Sequence, residues 1–314
     1  MILAITHSKD EHAPLILDAL ARRGSAAGVL DLADLPRNGR VALTYGAGGG
    51  GRELRLDGRP PIDATGVTAV WWRRPQLLIA SPGLRPEDAA FAVRQTGEAV
   101  MGLLASLPPH ALFVNDPWRD EVAGHKTRQL AAAERAGLRV PATLVTSDPG
   151  AARAFLDERG EGGAVHKALH STEADWRLTK RVAAKDRARL DSLRLAPVIF
   201  QEHVPGVDIR VTCVGEELFP AEIDARQTRS PDDFRDAYQD CRVEPCALPD
   251  AEASALRALL VDLGLLYAAV DFRRRDDGAW FFLEVNPSGQ WYFVEQRTGQ
   301  PITDALAALL ARRA

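Results

Sequence analysis

The sequence predicts a chain of mixed α/β and α+β class, an open sheet followed by further α+β units. Three observations carry this. Residues 2–32 run ILAIT, HAPLILDALARRG and GVLDL: an apolar strand, a helix with Leu15, Ile16 and Leu20 at helical spacing that stops at Gly24, and a second strand. That is how an open α/β sheet begins. Residues 198–223 read as successive strands, VIFQEHV, DIRVTCV and ELFPAEI, broken at Pro205-Gly206 and Gly215. Residues 268–286, AAVDFRRRDDGAWFFLEVN, read as a hairpin around Asp277-Gly278, a pair that tight turns favour because it accepts positive φ. A length of 314 residues suffices for two or three packed units.

Composition excludes several classes. Lys and Arg number 39 against 43 Asp and Glu, a net charge of −4, so neither nucleic acid nor a membrane surface is an expected partner. No apolar run approaches the length of a bilayer span. The segment MILAITHSKD lacks the basic flank and cleavage site of a secretion signal. Cys213, Cys241 and Cys246 form neither a disulfide framework nor a zinc pattern, and a reducing cytoplasm is the expected compartment. No GxGxxG follows the first strand, which argues against a dinucleotide-dependent dehydrogenase.

Residues 41–58 alternate as a hairpin, and Gly48–Gly51 read as its flexible tip, since no Lys-Ser/Thr and no helix follow. VTAVWWRRPQ (67–76) is a strand delivering Trp71, Trp72, Arg73 and Arg74. Its end either packs against a neighbouring domain or presents an arginine pair to an anionic ligand or acidic peptide. A long amphipathic helix (87–107) and the strand LFVNDP close a first domain near residue 117. A helix opened by Lys126, the strand PATLVT, a second helix (149–160) and the strand GAVHKAL follow. Lys167 in that apolar strand costs desolvation unless an anion meets it; with Lys126 it would make a phosphate clamp, the alternative being that both are solvated surface charges. Asp208 and Arg210 share a strand face, and residues 224–248 are a polar excursion carrying Arg226, Arg229 and Arg235. A helix ending at Gly264 leads into the hairpin, and TDALAALLARRA is a last amphipathic helix.

If Asp277 and Gly278 are the turn, Asp271 sits across from Glu284, and alternation puts Asn286 on the same face. Carboxylates gathered on apolar strands repel one another and are costly to bury. Either a hard cation resolves this, Mg²⁺ shared with substrate phosphates being the match for an oxygen-only set, or the hairpin is an edge whose charges face solvent.

Taken in order, Lys126, Lys167, the QEHVP strand, Asp208-Ile-Arg210, the arginine segment, Asp271 and Glu284-x-Asn286 resemble the ATP-grasp superfamily over about residues 115–314. The resemblance implies an ATP-grasp fold: an N-terminal α/β domain (1–117), a central lid domain (118–196) and a C-terminal ATP-grasp domain (197–314). It implies that Lys126 and Lys167 contact the phosphates of ATP, that Gln201, Glu202, His203 and Val204 line the adenine, and that Asp208 binds the ribose. Arg210 and Arg235 would steady the phosphate and an acyl-phosphate intermediate, and Asp271, Glu284 and Asn286 would ligate Mg²⁺. The loop after Lys167, LHSTEADW, departs from the family by lacking the glycines of many phosphate-covering loops.

A narrower resemblance covers nearly the whole chain. WWRRP, DDFR and LEVNPSGQWYFVEQRTGQPI are similar to the ATP-grasp maturases of ribosomal peptides, the microviridin-type or graspetide macrocyclases that make omega-ester and omega-amide links. This implies a precursor peptide with a leader and an acidic core as partner, and a homodimer. Residues 218–247, with Arg226, and the adjacent hairpin are the expected leader surface, and Arg73 and Arg74 are expected to face the core. Two alternatives remain open. One is an ATP-grasp ligase that adds amino acids to a protein tail or joins small metabolites. The other is a nucleotide-binding regulatory protein without turnover, against which the retained lysines, carboxylates and arginines argue.

Overall fold

The computed structural model describes residues 1–46, 51–170 and 177–312. Gly48–Gly50 of the glycine run and residues 171–176 of the loop after Lys167 lie outside these. The chain divides into two compact units, Met1–Pro117 with Pro301–Ala314, and Trp118–Gln300.

The first unit begins with β1 (Ile2–Ile5), α1 (His12–Arg22) and β2 (Ala27–Leu30). A small antiparallel sheet follows, β3 (Gly39–Leu43), β4 (Arg52–Leu56) and β5 (Ile62–Asp63); then come β6 (Ala69–Trp72), α2 (Pro86–Ala105) and β7 (Leu112–Val114). The parallel sheet has the order β2-β1-β6-β7. Leu3, Ile5, Leu30, Val70, Leu103 and Leu104 belong to its core. Parallel strands buried on both faces explain why these strands read as unbroken apolar runs.

The second unit holds α3 (Pro117–Gly124), α4 (Lys126–Arg135), β8 (Thr143–Thr146), α5 (Pro149–Arg159), β9 (Ala164–Lys167), β10 (Lys180–Arg181) and α6 (Ala184–Arg187). After these come β11 (Val198–Glu202), β12 (Val207–Val214), β13 (Glu217–Asp224), β14 (Arg242–Pro245), α7 (Asp250–Leu263), β15 (Tyr267–Arg274), β16 (Trp280–Asn286) and α8 (Tyr292–Thr298). Two sheets result, β10-β9-β11-β8 and β14-β13-β12-β15-β16. Strand β11 pairs with β8 and β9, so the expected boundary at residues 196/197 cuts one sheet in two. The last helix, α9 (Ile302–Ala311), belongs to the first unit, not to a C-terminal domain starting at residue 197. Its buried Ile302, Leu306, Ala307 and Leu310 need an apolar partner, and α1 supplies one, with Arg23 Nη1 donating to Asp304 Oδ1 at 3.1 Å.

The five-stranded sheet separates its two faces by chemistry. Ile209, Val211, Cys213, Val270, Phe272 and Val285 pack under Leu256, Leu259, Leu260 and Leu263 of α7 and Ala132 and Ala133 of α4. Each such large side chain contributes about 1.5–3 kcal/mol. Gly264 ends α7 at φ 70°, a left-handed cap that glycine takes without a Cβ penalty. Alternating residues Asp208, Arg210 and Thr212 of β12, with Asp271 and Arg273 of β15, are also buried. A polar face this deep must satisfy itself or serve a ligand.

The hairpin reaches its expected pairing by another route. Its loop has three residues, Asp276 to Gly278, with Arg275 N donating to Ala279 O at 2.9 Å and Gly278 at φ 83°. Asp277 Oδ1 accepts from Ala279 N at 3.0 Å, which favours this longer turn with its left-handed glycine. The pairs next to the turn, such as Phe272 with Phe282, are thereby one residue off the expected register. A bulge then takes up Leu283, and Asp271 faces Glu284 after all. Among the described residues, no helix is long and apolar enough to cross a membrane.

Candidate functional site

Strands β12, β15 and β16 lie side by side, with Arg210 in register with Asp271 and Asp271 with Glu284. Arg210 grips Asp271 in a fork, Nε to Oδ1 and Nη2 to Oδ2, each 2.9 Å. Its guanidinium also lies 5.2 Å from the centre of the Phe234 ring and 5.8 Å from that of Phe293. Burial alone would lower the Arg210 value, but the Asp271 carboxylate outweighs it and the net shift is upward.

Glu284 is ringed by cations. Lys126 at the start of α4 hydrogen-bonds to its Oε2, and Arg235 Nη1 lies 3.8 Å from its Oε1. Burial would raise the Glu284 carboxyl, yet Lys126, Lys167 and Arg235 together hold it well below the usual carboxylate range. Lys167 ends β9, and burial, with Lys126 and Arg235 adding to it, pushes its ammonium down to about 8 despite Glu284. Positive charge gathered where charge is expensive prepares a place for an anion.

Gln129 escapes a sequence reading but fixes this geometry. Its amide donates to Val285 O at 2.8 Å and Ala123 O at 2.7 Å, and accepts from Val285 N at 3.0 Å. One buried side chain thus ties α4 to the edge strand β16, and Lys126, one turn earlier, meets Glu284. A glutamine on an amphipathic helix gives no signal of this.

The strand expected to line the adenine is β11 and the turn after it. Gln201 is buried and donates to Thr143 Oγ1 at 2.8 Å, while Glu202 Oε2 accepts from Ala142 N at 3.2 Å. His203 Nε2 meets Asp232 Oδ1 at 3.0 Å, and Val204 O accepts from Arg273 Nε at 3.1 Å. Asp208 is committed to Arg273, 2.7 Å away, a residue the sequence reading passed over. Burial, with Asp271 and Asp233 adding, still pushes the Asp208 carboxyl up to about 6. The signal for Arg273 was present: two residues from Asp271, it faces Asp208 across the sheet.

The substrate arginines fall elsewhere. Arg73 is 1% exposed in the first unit, its Nε 3.5 Å from Asp10 Oδ2. Of the expected arginine pair, Arg73 is thus buried beside Asp10, on the same strand face as the buried Trp71. Arg74 is half-buried at φ 44°. Arg226 is exposed and forks onto Asp224 at 3.0 and 2.7 Å.

Asp271, Glu284 and Asn286 share a face, and Asn286 Oδ1 accepts from Ser288 N at 3.0 Å, which leaves it a second lone pair. Among the described residues, no three His, Cys, Asp or Glu side chains form a metal cluster. An opposed carboxylate pair with an amide oxygen fits a hard cation shared with phosphate oxygens, not a self-contained cage.

Comparison with known proteins bears on the fold. Residues 1–120 match the family model of the MvdD pre-ATP grasp domain. The macrocyclase MdnC from Microcystis aeruginosa MRC, solved with precursor peptide MdnA, is 29% identical and superposes with a TM-score of 0.87 over 99% of each chain. The ligase PsnB, solved with a phosphomimetic minimal precursor, Mg and ADP, is 26% identical with a TM-score of 0.77, over 100% of this chain and 98% of that one. A Chryseobacterium gregarium RiPP-associated ATP-grasp ligase, 22% identical, shares the fold at a TM-score of 0.89 over 100% and 97% of the two chains. No curated protein sequence matches. The fold is an ATP-grasp fold with a pre-ATP-grasp domain, and its structural neighbours include ligases and macrocyclases of ribosomally made peptides.

Proposed function

We propose that the protein is an ATP-dependent, ADP-forming macrocyclase of a ribosomally made precursor peptide. It activates Asp or Glu side chains of the peptide as acyl phosphates and joins them to Ser/Thr hydroxyls or Lys amines. The observation that carries this reading is Glu284, opposed to Asp271 and surrounded by Lys126, Lys167 and Arg235, in a chain that aligns end to end with a peptide macrocyclase.

Lys126 and Lys167 hold the nucleotide phosphates, and Gln201, Glu202, His203 and Val204 line the adenine. Asp208 reaches the ribose while sharing its carboxylate with Arg273. Asp271, Glu284 and Asn286 would hold Mg²⁺, which supplies charge neutralisation between the phosphates when bound. Arg210 and Arg235 steady the phosphoryl group and the acyl phosphate. No covalent nucleophile of the enzyme is needed, so catalysis rests on positioning and on fixed positive charge. Residues 218–247 with Arg226 are the proposed leader surface, and Arg74 the proposed contact to the acidic core. Cytoplasmic action is consistent with the free Cys213, Cys241 and Cys246.

The test is the intact mass of any short acidic peptide found to be encoded beside the gene, incubated with protein, ATP and Mg²⁺. Loss of one or more waters, with ADP formed rather than AMP, is expected. An unchanged mass, with ADP formed on an amino acid or a protein tail instead, would overturn the macrocyclase reading in favour of another ligase.

A further inference from the structure

Three consecutive residues of the excursion between β13 and β14 each hold a different part of the second unit. Pro231 O accepts from Arg273 Nη2 at 3.0 Å, the same guanidinium that binds Val204 O and Asp208. Asp232 takes Arg181 of β10 in a fork, at 2.9 and 3.2 Å, as well as His203. Asp233 accepts from the backbone N of Thr179, just before β10, at 3.0 Å, and grips Arg235 through Nε at 2.7 Å and Nη2 at 2.5 Å.

Asp233 is only 5% exposed. A buried carboxylate is costly unless charged and backbone donors converge on it, and here they come from two elements that are distant in sequence. Its fork takes one edge of the Arg235 guanidinium and turns Nη1 toward Glu284, 3.8 Å away. Its Thr179 contact ties the same carboxylate to β10, the edge strand of the sheet that carries Lys167.

We propose that Asp233 is a positioning residue for the transfer step: it aims Arg235 at the Glu284 face and couples that aim to the docking of β10. The inference rests on the phosphoryl-transfer reading above. It predicts that losing Asp233 slows the chemistry while the nucleotide, held by other residues, still binds.

The experiment compares Asp233→Asn, alone and on an Arg235→Ala background, in ADP formation with the acidic peptide substrate of the mass assay above. Asp233→Asn is expected to lower kcat by about 10–100-fold, the range for groups that orient a functional side chain, with KM for ATP moving less than about threefold. On the Arg235→Ala background its further cost is expected to be under about twofold, because the residue acts through that arginine. An equal loss on both backgrounds, or an unchanged kcat, overturns the proposal. Hydrogen exchange of residues 177–183 with MgADP bound reads the coupling independently. Faster exchange in Asp233→Asn is expected, and unchanged exchange overturns the coupling. If the wild type forms no ADP with the peptide, the macrocyclase reading fails, and the exchange result alone decides the coupling.

Discussion

Arg73 and Arg210 look alike by burial, at 1% and 6% exposed, and each faces an aspartate, yet their surroundings differ. In the first unit, Asp10 collects Arg73, the Thr6 hydroxyl at 2.8 Å and the backbone N and ring of His12, each at 3.1 Å. Burial would raise the Asp10 carboxyl, but the His12, Arg73 and Thr6 contacts hold it well below the ordinary range. These contacts join α1 to the ends of β1 and β6. In the second unit, Arg210 answers Asp271, but next to that pair Lys126, Lys167 and Arg235 converge on one Glu284 carboxylate. A buried pair that balances is architecture. One with surplus positive charge waits for an anion, because desolvated cations are tolerated only where one arrives.

The largest expected effect is on the surplus side. Glu284→Gln should cut ADP formation by more than about 10³-fold, since it removes the proposed cation ligand and the carboxylate charge on which Lys126, Lys167 and Arg235 converge. Far-ultraviolet circular dichroism should show the variant folded. Retained turnover would mean that this carboxylate is an ordinary ion-pair partner, as Asp10 is.

Next come the paired truncations. Arg73→Ala and Arg210→Ala should each cost about 3–5 kcal/mol in urea unfolding, because each strands a buried aspartate. Only Arg210→Ala should also abolish turnover, while Arg73→Ala should keep its affinity for MgADP. If Arg73→Ala instead left stability intact and raised KM for the peptide, Arg73 would belong to the substrate site and the contrast would collapse.

What could be read beforehand follows from range. The strand–helix–strand opening, the β12–β13 pair and the opposition of Asp271 to Glu284 rest on local periodicity and turn chemistry, which the sequence displays. The placement of α9 and of β11 depends on partners far away in the chain, and no local pattern reports those. The hairpin is instructive, because a two-residue turn predicts the right pair while the molecule uses a three-residue turn and a bulge at Leu283. Burial of that face demands that the two carboxylates meet, and the bulge restores what the longer turn shifts. At the site, Arg273 and Gln129 went unseen, and Asp233 was read only as part of DDFR, because their roles lie in hydrogen bonds to backbone or to other charged groups. Arg73 stood open between two readings because composition alone does not distinguish an arginine turned inward from one turned out.

The third prediction concerns pH. Lys167 holds its proton below about 8 in the folded protein, against 10.5 ordinarily. MgADP affinity should therefore fall as pH rises through about 8, approaching tenfold per unit, and Lys167→Arg should flatten the profile in calorimetry. For stability the sign is reversed. Between about 8 and 10.5 the unfolded chain binds the extra proton, so the cost of burying this group shrinks and stability rises with pH.

The smallest effect belongs to Arg226. Its fork on Asp224 is exposed, and its nearest approach to Asp276 is 3.7 Å, so Arg226→Ala should change unfolding free energy by no more than about 0.5 kcal/mol. If the excursion receives the leader, KM for the full precursor should rise about twofold and KM for a leaderless core should not. The difference should shrink in high salt, because a solvated charge steers a partner through water that salt screens. An equal rise for both peptides would move Arg226 from the leader surface to the core site. No change for either would leave it a solvated ion pair, a surface counterpart of what Arg73 is inside.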